Sequence, residues 1–520
     1  IQKSGLNLNN GRLSPVSNPI SSQPGGFQFS GTPPAAPDRF IVKYKNSAQQ
    51  NFNGQDMPPG LAATLPDGIS KEIHQKSLGM NGLQVIQVPS ASFDSTLTAF
   101  KNNPLIEYTE PDYQITVEPS QTGIQIFTPS SISSTIKPND PEYPKLWGLH
   151  NTGQTPFNGT AGADISAEEA WGVATGSHDI VVAVLDSGVD YSHPDLTENI
   201  WTNEKEIPDN GIDDDGNGYI DDVHGWNFQG KNNTPIDENG HGTHCAGIIG
   251  AVGNNNIGVT GINWHVRIMP LRFMDSTGNG YISDAVSAIQ YANQMGADVI
   301  SCSWSGNENS QALKDAMAAS SAVIVCASGN GGSNDDTTPL YPATFTGSNM
   351  ITVAASDSND NLASFSNYGV STVNIAAPGV EIASTYPGNK YAYMSGTSMA
   401  TPYVAGVAAL LKAVKPTLSN SQIKDAILSS ADSIPNMTGK ISTGGRLNAY
   451  RTLTGMADGS IRTKNSTNAF EKTGISSQVT TSPISHTLVL TQPSELKGQT
   501  NTRISGVPQV SDSPPIYPYS

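Results

Sequence analysis

The chain has few cysteines, few charged residues and no long apolar run. Its three cysteines, Cys245, Cys302 and Cys326, are too few for a disulfide framework, and at most one pair could form. No apolar stretch approaches the roughly 18 residues that a membrane-spanning helix needs, so we expect no membrane span. Only 14% of the residues are charged, and the formal net charge of −18 argues against a nucleic acid as partner. The first residue is Ile rather than Met, which fits removal of an export signal, and we expect a secreted monomer.

Uneven composition divides the chain into five segments. Residues 1–37 and 457–520 are rich in Ser, Thr, Asn, Gly and Pro, which is typical of disordered ends. A further polar stretch at 118–138 predicts a linker. Between these stretches the pattern predicts a small α+β unit at 38–117 and a large α/β domain at 139–456.

Local patterns support both fold classes. In the small unit, RFIVKYK and LQVIQVP predict strands, and FDSTLTAFKNN predicts an amphipathic helix. In the large domain, IVVAVLD, ADVISCSW and AVIVCAS are nearly continuous apolar runs that alternate with helical patterns. Such strands are buried on both faces, so the sequence predicts a doubly wound, mostly parallel sheet with helices on both sides.

Three residues of the large domain belong to types that act together in acyl transfer. Asp186 ends one apolar strand, His241 opens the small-residue stretch HGTHCAGIIGA, and Ser398 precedes the apolar run ATPYVAGVAALL. Each has an ordinary alternative: a turn residue for Asp186, a structural or solvent-facing side chain for His241, and a helix N-cap for Ser398. Together they favour catalysis, because a serine nucleophile needs an imidazole to take its proton and a carboxylate to orient that imidazole.

A metal site is a weaker interpretation of the histidine stretch. His241, His244 and Cys245 are ligand types at close spacing, but no second cluster completes a tetrahedral site. We interpret His244 as structural, and we expect buried free thiols for the cysteines.

The stretches DSGVDYSHPDL, HGTHCAG and SGTSMATPYVAG resemble the three signature motifs of the subtilisin-like serine proteases, or subtilases. The resemblance covers about residues 38–456 and implies a serine endopeptidase with Asp186, His241 and Ser398 as its triad. In AVIVCASGNGG, Asn330 resembles the family's side-chain donor to the oxyanion, a role compatible with its place in a turn. His241 argues against the related sedolisins, which use Glu there. The presence of all four residues argues against a catalytically silent binding module.

The resemblance also implies where polypeptide substrates bind. In the family the substrate adds as a strand beside one segment, and the primary pocket lies between that segment and a second one. The family usually has Gly where Ser305 stands, which affects the rim of the pocket. Neither segment carries an acid, so we expect apolar or aromatic side chains before the cleaved bond. The matching residues are Ser303, Trp304, Ser305 and Gly306 in the first segment and Ala327, Ser328 and Gly329 in the second.

The small unit at 38–117 resembles the family's inhibitor prodomain, a ferredoxin-like module. This implies a zymogen whose own prodomain acts as an intramolecular inhibitor until it is cut away within 118–138. An unrelated α+β domain is the alternative.

Two stretches point to calcium as a cofactor. The run DNGIDDDGNGYIDD (209–222) holds six carboxylates and no cation, so it repels itself unless a cation binds, although a solvated acidic loop is the alternative. Its spacing predicts ligands from Asp213, Asp215, Asn217 and Tyr219, with Asp221 or Asp222 closing the shell. Resemblance to the thermitase-like branch of the family implies a second site, with ligands from Asp140, Asp195, Val252, Asn255, Ile257 and Val259.

Overall fold

The computed structural model of the chain describes residues 35–45, 65, 69, 73–117 and 137–455, together with the backbone of 125–127. Most of the predicted segment 1–37 and the predicted tail 457–520 lie outside these residues. The strands, in chain order, are β1 (Ala35–Tyr44), β2 (His74–Ser77), β3 (Leu83–Gln87), β4 (Ile106–Thr116), β5 (Gln125–Phe127), β6 (Gly176–Asp186), β7 (Trp226–Asn227), β8 (His265–Arg272), β9 (Asn279–Tyr281), β10 (Val299–Cys302), β11 (Val323–Ala327), β12 (Met350–Ser356), β13 (Ile375–Pro378), β14 (Ile382–Tyr386), β15 (Lys390–Met394), β16 (Asp432–Ser433) and β17 (Gly445–Arg446).

Among the described residues, one helix lies in the small unit and the others follow strands or loops of the large domain. They are α1 (Phe93–Lys101), α2 (Ala167–Trp171), α3 (His241–Gly250), α4 (Ile282–Gln294), α5 (Gln311–Ala318), α6 (Thr397–Val414), α7 (Asn420–Ser429) and α8 (Ala449–Thr454).

The large sheet has the order β16-β17-β13-β12-β11-β10-β6-β8-β7. Every adjacent pair is parallel except β16 and β17 at one edge, which are antiparallel. Successive residues of a strand face opposite sides of the sheet, so Val182 and Val184 enter one core while Ala183 and Leu185 enter the other. The predicted doubly wound α/β fold is therefore confirmed.

Helices cover both faces of this sheet. The first core includes buried residues of α3, α6 and α7, and the second includes those of α4 and α5. Of the described helices, α6 alone is long and apolar enough to cross a membrane by length and composition. Because 83% of that stretch is buried inside the protein, its apolar character is accounted for by its position in the core.

The small unit is an antiparallel sheet with the order β2-β3-β1-β4, extended by β9 of the large domain. Phe40 and Val42 of β1 pack against Leu97 and Phe100 of α1 on one face of this sheet. Ile41 points the other way and joins the core around α4 and α5. The predicted strands and helix of this unit are present, and β1 begins three residues before the predicted boundary at residue 38.

Of the stretch predicted as a linker, 118–138, the structure describes residues 137–138 and the backbone of 125–127, which forms β5. The backbone of β5 pairs antiparallel with β15, with Ile126 opposite Ala392. The composition of this stretch gives no strand signal, because the pairing depends on an edge supplied by residues far along the chain.

Candidate active site

Asp186 and His241 meet at the carboxyl end of the large sheet. Asp186 is the last residue of β6, His241 is the first residue of α3, and His241 Nδ1 lies 2.7 Å from Asp186 Oδ1. Both side chains are buried, with exposed fractions of 1% and 3%. The backbone amide of Ser187, the residue that follows the strand, donates to the same Asp186 oxygen at 2.8 Å. Asp186 itself is the last strand residue, and its carboxylate serves both Ser187 and His241.

Two groups set the protonation of the imidazole. Burial opposes the charged form, but the Asp186 carboxylate outweighs it and raises the pKa of His241 well above its ordinary value. The positive end of the helix dipole at the start of α3 acts against protonation as well, and the ion pair with Asp186 is the stronger effect. Cys245, one turn along α3, lies 4.0 Å from His241 Nδ1, and burial raises the pKa of its thiol. We therefore expect the thiol to be neutral near pH 7.

Ser398 is the second residue of α6 and is 1% exposed. The N-cap of this helix is Gly396, so the N-cap interpretation of Ser398 is wrong. Ser398 Oγ donates to the carbonyl oxygen of Ser303 at 3.1 Å, and Ser303 Oγ donates to the Ser398 carbonyl at 3.0 Å. The thiol of Cys245 lies 3.5 Å from that same Ser398 carbonyl, which brings α3 and α6 together at this point.

The free imidazole nitrogen, His241 Nε2, is buried and has no hydrogen-bond partner among the described residues. Asp186 and His241 are therefore in direct contact in this structure. The Ser398 hydroxyl is hydrogen-bonded to the Ser303 carbonyl rather than to the imidazole of His241.

Asn330 is held with its amide nitrogen unused. Its Oδ1 accepts hydrogen bonds from the Thr397 backbone amide at 2.9 Å and from Thr397 Oγ1 at 3.0 Å. Its Nδ2 is buried without a hydrogen-bond partner in the described part of the chain. A Cβ placed on Gly396 would lie 3.2 Å from Asn330 Nδ2 and 3.6 Å from the Ser398 amide nitrogen. Two N–H donors therefore border one small space beside Ser398. The part that Thr397 plays in orienting Asn330 was not identified from the sequence.

The two segments expected to bind substrate both contact the start of α6: Ser303 through its carbonyl oxygen and Gly329 through its amide. Trp304 is buried against Phe273, and its indole donates to the Leu185 carbonyl at 2.9 Å, so its side chain belongs to the core. Ser328 likewise turns its hydroxyl to the Asn367 carbonyl at 3.2 Å. Gly329 has φ of +112°, a conformation that other residues rarely adopt.

The backbone of Ser305 is occupied by the small unit. Thr116, the last residue of β4, donates to the Ser305 carbonyl at 3.1 Å and accepts from the Ser305 amide at 3.0 Å. On its other side β4 pairs with β9, and Ile115 lies close enough to Gly306 that a Cβ there would meet it at 2.8 Å. The end of the small unit therefore forms a central strand between two segments of the large domain.

In the acid-rich stretch 209–222, two of the expected calcium ligands lie beside Glu206, a residue outside the predicted calcium loop. Carboxylate oxygens of Glu206, Asp213 and Asp215 lie within 4.8 Å of one another. Asp222 is directed elsewhere: it accepts hydrogen bonds from Asn203, Asn217 and Tyr291, with the side chain of Tyr219 packed on the Tyr291 ring. Asp221 accepts the backbone amides of residues 210 and 211. The third acid beside Asp213 and Asp215 is thus Glu206, which stands outside the calcium-loop spacing and gave no signal in the sequence.

The second set of expected calcium ligands converges. Asp195, which is fully buried, accepts hydrogen bonds from Asn255 Nδ2 at 2.8 Å and from the Val259 amide at 2.8 Å. Asp140 accepts the Asn254 amide at 2.8 Å, and the same loop contains Val252 and Ile257. Burial raises the pKa of Asp140 to about 6 and that of Asp195 to about 7. No Lys or Arg of the described residues forms an ion pair with either acid, so the charge type and oxygen donors fit a hard cation such as calcium.

His244 and the remaining cysteines have structural surroundings. His244 Nε2 lies 3.0 and 3.1 Å from the carbonyl oxygens of Ile382 and Ala392, and burial lowers the pKa of its ring to about 3. This geometry directs His244 away from His241 and removes it from the metal alternative. Cys302 and Cys326 lie opposite each other on β10 and β11 as buried free thiols.

Comparison with known proteins adds a family relationship. The model of the subtilase family matches residues 177–471. A thermophilic serine proteinase of Bacillus sp. (strain AK1) is 37% identical over 418 residues, which span 80% of this chain and 86% of that protein. Thermitase of Thermoactinomyces vulgaris is 42% identical over 292 residues, or 56% of this chain and 93% of the relative. A cell wall-associated protease of Bacillus subtilis (strain 168) is 37% identical over 300 residues, or 57% of this chain and 30% of that protein.

Proposed function

The chain belongs to the subtilase family and is a subtilisin-like serine endopeptidase, and from this premise we propose that Asp186, His241 and Ser398 are its catalytic triad. The observation that carries this proposal is the buried 2.7 Å contact between Asp186 and His241, with His241 Nε2 left without a partner among the described residues. Cys245 Sγ lies 4.0 Å from His241 Nδ1 and 3.5 Å from the Ser398 carbonyl oxygen, which places the two residues on either side of one thiol. In the neutral form of the imidazole, the contact with Asp186 keeps the proton on Nδ1 and therefore presents a basic Nε2 for the serine hydroxyl.

In the proposed reaction Ser398 Oγ attacks the carbonyl carbon of the substrate, and His241 Nε2 takes the hydroxyl proton. The Asp186 carboxylate stabilises the imidazolium that forms. The imidazolium then protonates the leaving amine, and the C–N bond breaks to give an acyl-enzyme. In the second half of the reaction the same imidazole takes a proton from a water molecule, whose oxygen attacks the ester carbonyl carbon. The imidazolium then protonates Ser398 Oγ as the C–O bond breaks, which releases the carboxylic acid and the free enzyme.

Asn330 Nδ2 and the Ser398 amide would stabilise the oxyanion of the tetrahedral intermediates. Both are N–H donors beside the nucleophile, and Asn330 Nδ2 makes no other hydrogen bond among the described residues. A donor fixed in this way needs no reorganisation when the negative charge develops. Two hydrogen bonds from Thr397 to Asn330 Oδ1 support this role, because they fix the amide group with its nitrogen towards the space beside Gly396.

The triad proposal is tested with purified Ser398→Ala protein and casein as substrate. We expect no hydrolysis and a precursor that stays at full length. The exposed Ser429→Ala change on α7 is the matched control and should behave like the parent. Processing or casein hydrolysis by isolated Ser398→Ala protein would contradict the proposal.

We further propose that the small unit is an inhibitor prodomain and the protein a zymogen. Three contacts support this. Thr116 forms two backbone hydrogen bonds with Ser305. Glu110 accepts hydrogen bonds from the first two amides of α5, and Asp112 accepts them from the amide and hydroxyl of Ser283 in the first turn of α4. Substrate backbone would take the place of residues 114–116 between β9 and Ser305 once the unit leaves. The bond that is cut would lie within 118–138, between the proposed segments 38–117 and 139–456.

Substrate selection would come mainly from main-chain pairing along Ser303–Gly306, which favours unfolded polypeptides of varied sequence. Near the nucleophile, Ser303, Trp304 and Ser328 direct their side chains into hydrogen bonds with the protein. Neither segment carries an acid to attract Lys or Arg. We therefore propose a preference for apolar or aromatic side chains before the cleaved bond.

Two calcium sites are proposed as stabilising elements. The first would be held by Glu206, Asp213 and Asp215, with Asn217 and Tyr219 of the same loop available as further ligands. The second would be held by Asp140, Asp195 and the loop 252–259. Bound calcium would neutralise carboxylates that now face one another. If a chelator left the melting temperature unchanged, both proposals would fail.

Export and a monomeric state complete the proposal. Three free cysteines and the absence of a disulfide among the described residues set no constraint on compartment. The relative named as cell wall-associated is consistent with a protease that acts outside the cell. Fractionation of a culture, followed by size determination of the active species, tests both points.

A further inference from the structure

The start of α3, which presents His241, is held by a buried carboxylate that the proposed mechanism does not use. The N-cap residue is Gly240, whose φ is +103° and which has no side chain to cap the helix. The first amides of a helix have no partner within it, so other groups must accept them. Asp237, which is 5% exposed, takes two of them: Oδ1 accepts the Gly240 amide at 2.8 Å, and Oδ2 accepts the Thr243 amide at 2.9 Å.

The two remaining amides are also accounted for. The His241 amide donates to Asn239 Oδ1 at 3.3 Å, and the Gly242 amide donates to Ser187 Oγ at 3.0 Å. The Asn239 amide in turn donates to Asp237 Oδ1 at 2.9 Å. Asp237 thus orders the turn that leads into the helix as well as the helix start.

The same carboxylate reaches the strand that carries Asp186. Ser187 follows Asp186 directly, and its hydroxyl donates to Asp237 Oδ1 at 2.9 Å. The Ser187 amide donates to Asp186 Oδ1 at 2.8 Å, and this is the oxygen that lies 2.7 Å from His241 Nδ1. Ser187 is therefore hydrogen-bonded to both carboxylates: its hydroxyl donates to Asp237 and its amide donates to Asp186.

Thr243 provides a second connection. Its hydroxyl donates to Asp237 Oδ2 at 2.6 Å and accepts the Asp190 amide at 2.9 Å. Asp190 lies four residues beyond Asp186, on the loop that leaves β6. Ser187 and Thr243 thus tie the end of β6 to the start of α3 at two points, and Asp237 accepts a hydrogen bond from both hydroxyls.

We propose that Asp237 is a positioning residue that sets the contact between Asp186 and His241 through Ser187 and Thr243. It touches neither reacting atom, and its role rests on the proposed function of the triad. A displacement of an imidazole by about 1 Å costs on the order of a hundredfold in rate. Loss of Asp237 should therefore lower kcat and leave KM unchanged, because the substrate segments at 303–306 and 327–329 make no contact with this network among the hydrogen bonds of the described residues.

The test compares variants of the mature enzyme after titration of active sites with a fluorophosphonate. Asp237→Asn keeps the shape of the side chain but replaces one acceptor oxygen by an NH₂ group, which cannot accept from the N–H groups around it. Thr243→Val keeps the branched shape of the side chain and removes its hydroxyl. Thr243→Ser keeps the hydroxyl and serves as the conservative rescue. Glu238→Gln is the matched control, because the neighbouring Glu238 is 57% exposed and pairs with Arg272 outside the network.

We expect Asp237→Asn and Thr243→Val to lower kcat by about tenfold to a hundredfold with KM within twofold of the parent. Thr243→Ser and Glu238→Gln should retain the parent kcat within about threefold. If Asp237→Asn fails to fold, the comparison of Thr243→Val with Thr243→Ser decides. Parent kcat in Thr243→Val, a loss confined to KM, or an equal loss in Thr243→Ser would overturn the inference. Activity that persists in Ser398→Ala would instead refute the proposed triad.

Discussion

The contact between Glu110 and α5 offers a quantitative test of how the small unit is held. Glu110 Oε1 accepts the Ser310 hydroxyl at 2.5 Å and the Ala312 amide at 3.3 Å, and Oε2 accepts the Gln311 amide at 3.0 Å. A carboxylate at this position satisfies amides that the helix cannot satisfy itself, and it interacts favourably with the positive end of the helix dipole.

Glu110→Gln keeps the side-chain length and removes the charge. Its single oxygen can retain the bonds to Ser310 and Ala312, while its amide group faces the Gln311 N–H and loses that bond. A hydrogen bond to a charged group contributes about 1.5–3 kcal/mol, and the lower end applies because Glu110 is only half-buried. We therefore expect undocking of the small unit to become about 1.5 kcal/mol easier, which is roughly a tenfold larger open fraction.

Hydrogen exchange by mass spectrometry on full-length Ser398→Ala protein measures this fraction directly. Peptides that cover Thr116 and Ser305 report the docked strand, because the amide of each residue donates to the carbonyl of the other. Glu107→Gln is the matched control, since Glu107 lies on the same strand, is exposed and caps no helix. Equal exchange in the Glu110 and Glu107 variants would refute the idea that helix capping holds the unit in place.

Further predictions concern pH, calcium and specificity. Burial and the nearby Asp112 raise the pKa of Asp284, at the interface with the small unit, to about 7; the other charged groups that act on it are Arg39, Lys76 and Lys231. Docking therefore takes up a proton, so the open fraction should rise by about tenfold between pH 5.5 and 8. Asp284→Asn should reduce this dependence, and an unchanged pH profile in that variant would contradict the prediction. Asp213→Asn combined with Asp215→Asn should remove the contribution of one calcium site to the melting temperature and leave that of the other. Each site should raise the free energy of unfolding by about 1.4 kcal/mol per tenfold rise in free calcium. Loss of both contributions, or of neither, would argue against separate sites. A peptide panel should be cleaved fastest after apolar or aromatic residues, and fastest cleavage after Lys or Arg would exclude the proposed pocket.

Much of this architecture could be predicted because its signals are local. The apolar runs that end at Asp186 and contain Cys302 and Cys326 identify parallel strands, and the small residues after His241 and Ser398 identify closely packed helices. The feature that singled out Ser398 was its place at a helix start, and the structure confirms that place while assigning the cap to Gly396.

Other features depend on contacts between residues far apart in the chain. Glu206 joins Asp213 and Asp215 only because the intervening loop folds back, and no spacing rule includes it. The pairing of β5 with β15 joins positions more than 260 residues apart (Ile126 with Ala392). The raised pKa of His241 follows from the ion pair with Asp186, whereas the position of His241 in the sequence reports only the helix dipole.

The central claim is that Ser398 is a nucleophile activated by His241 and Asp186. A biotinylated fluorophosphonate, reacted with the mature enzyme and mapped by peptide mass spectrometry, tests this claim most directly. We predict one modified residue, Ser398, with loss of peptidase activity in proportion to labelling and a labelling rate at least a hundredfold lower in His241→Ala. Modification at another residue, or equal labelling of the His241→Ala variant, would contradict it.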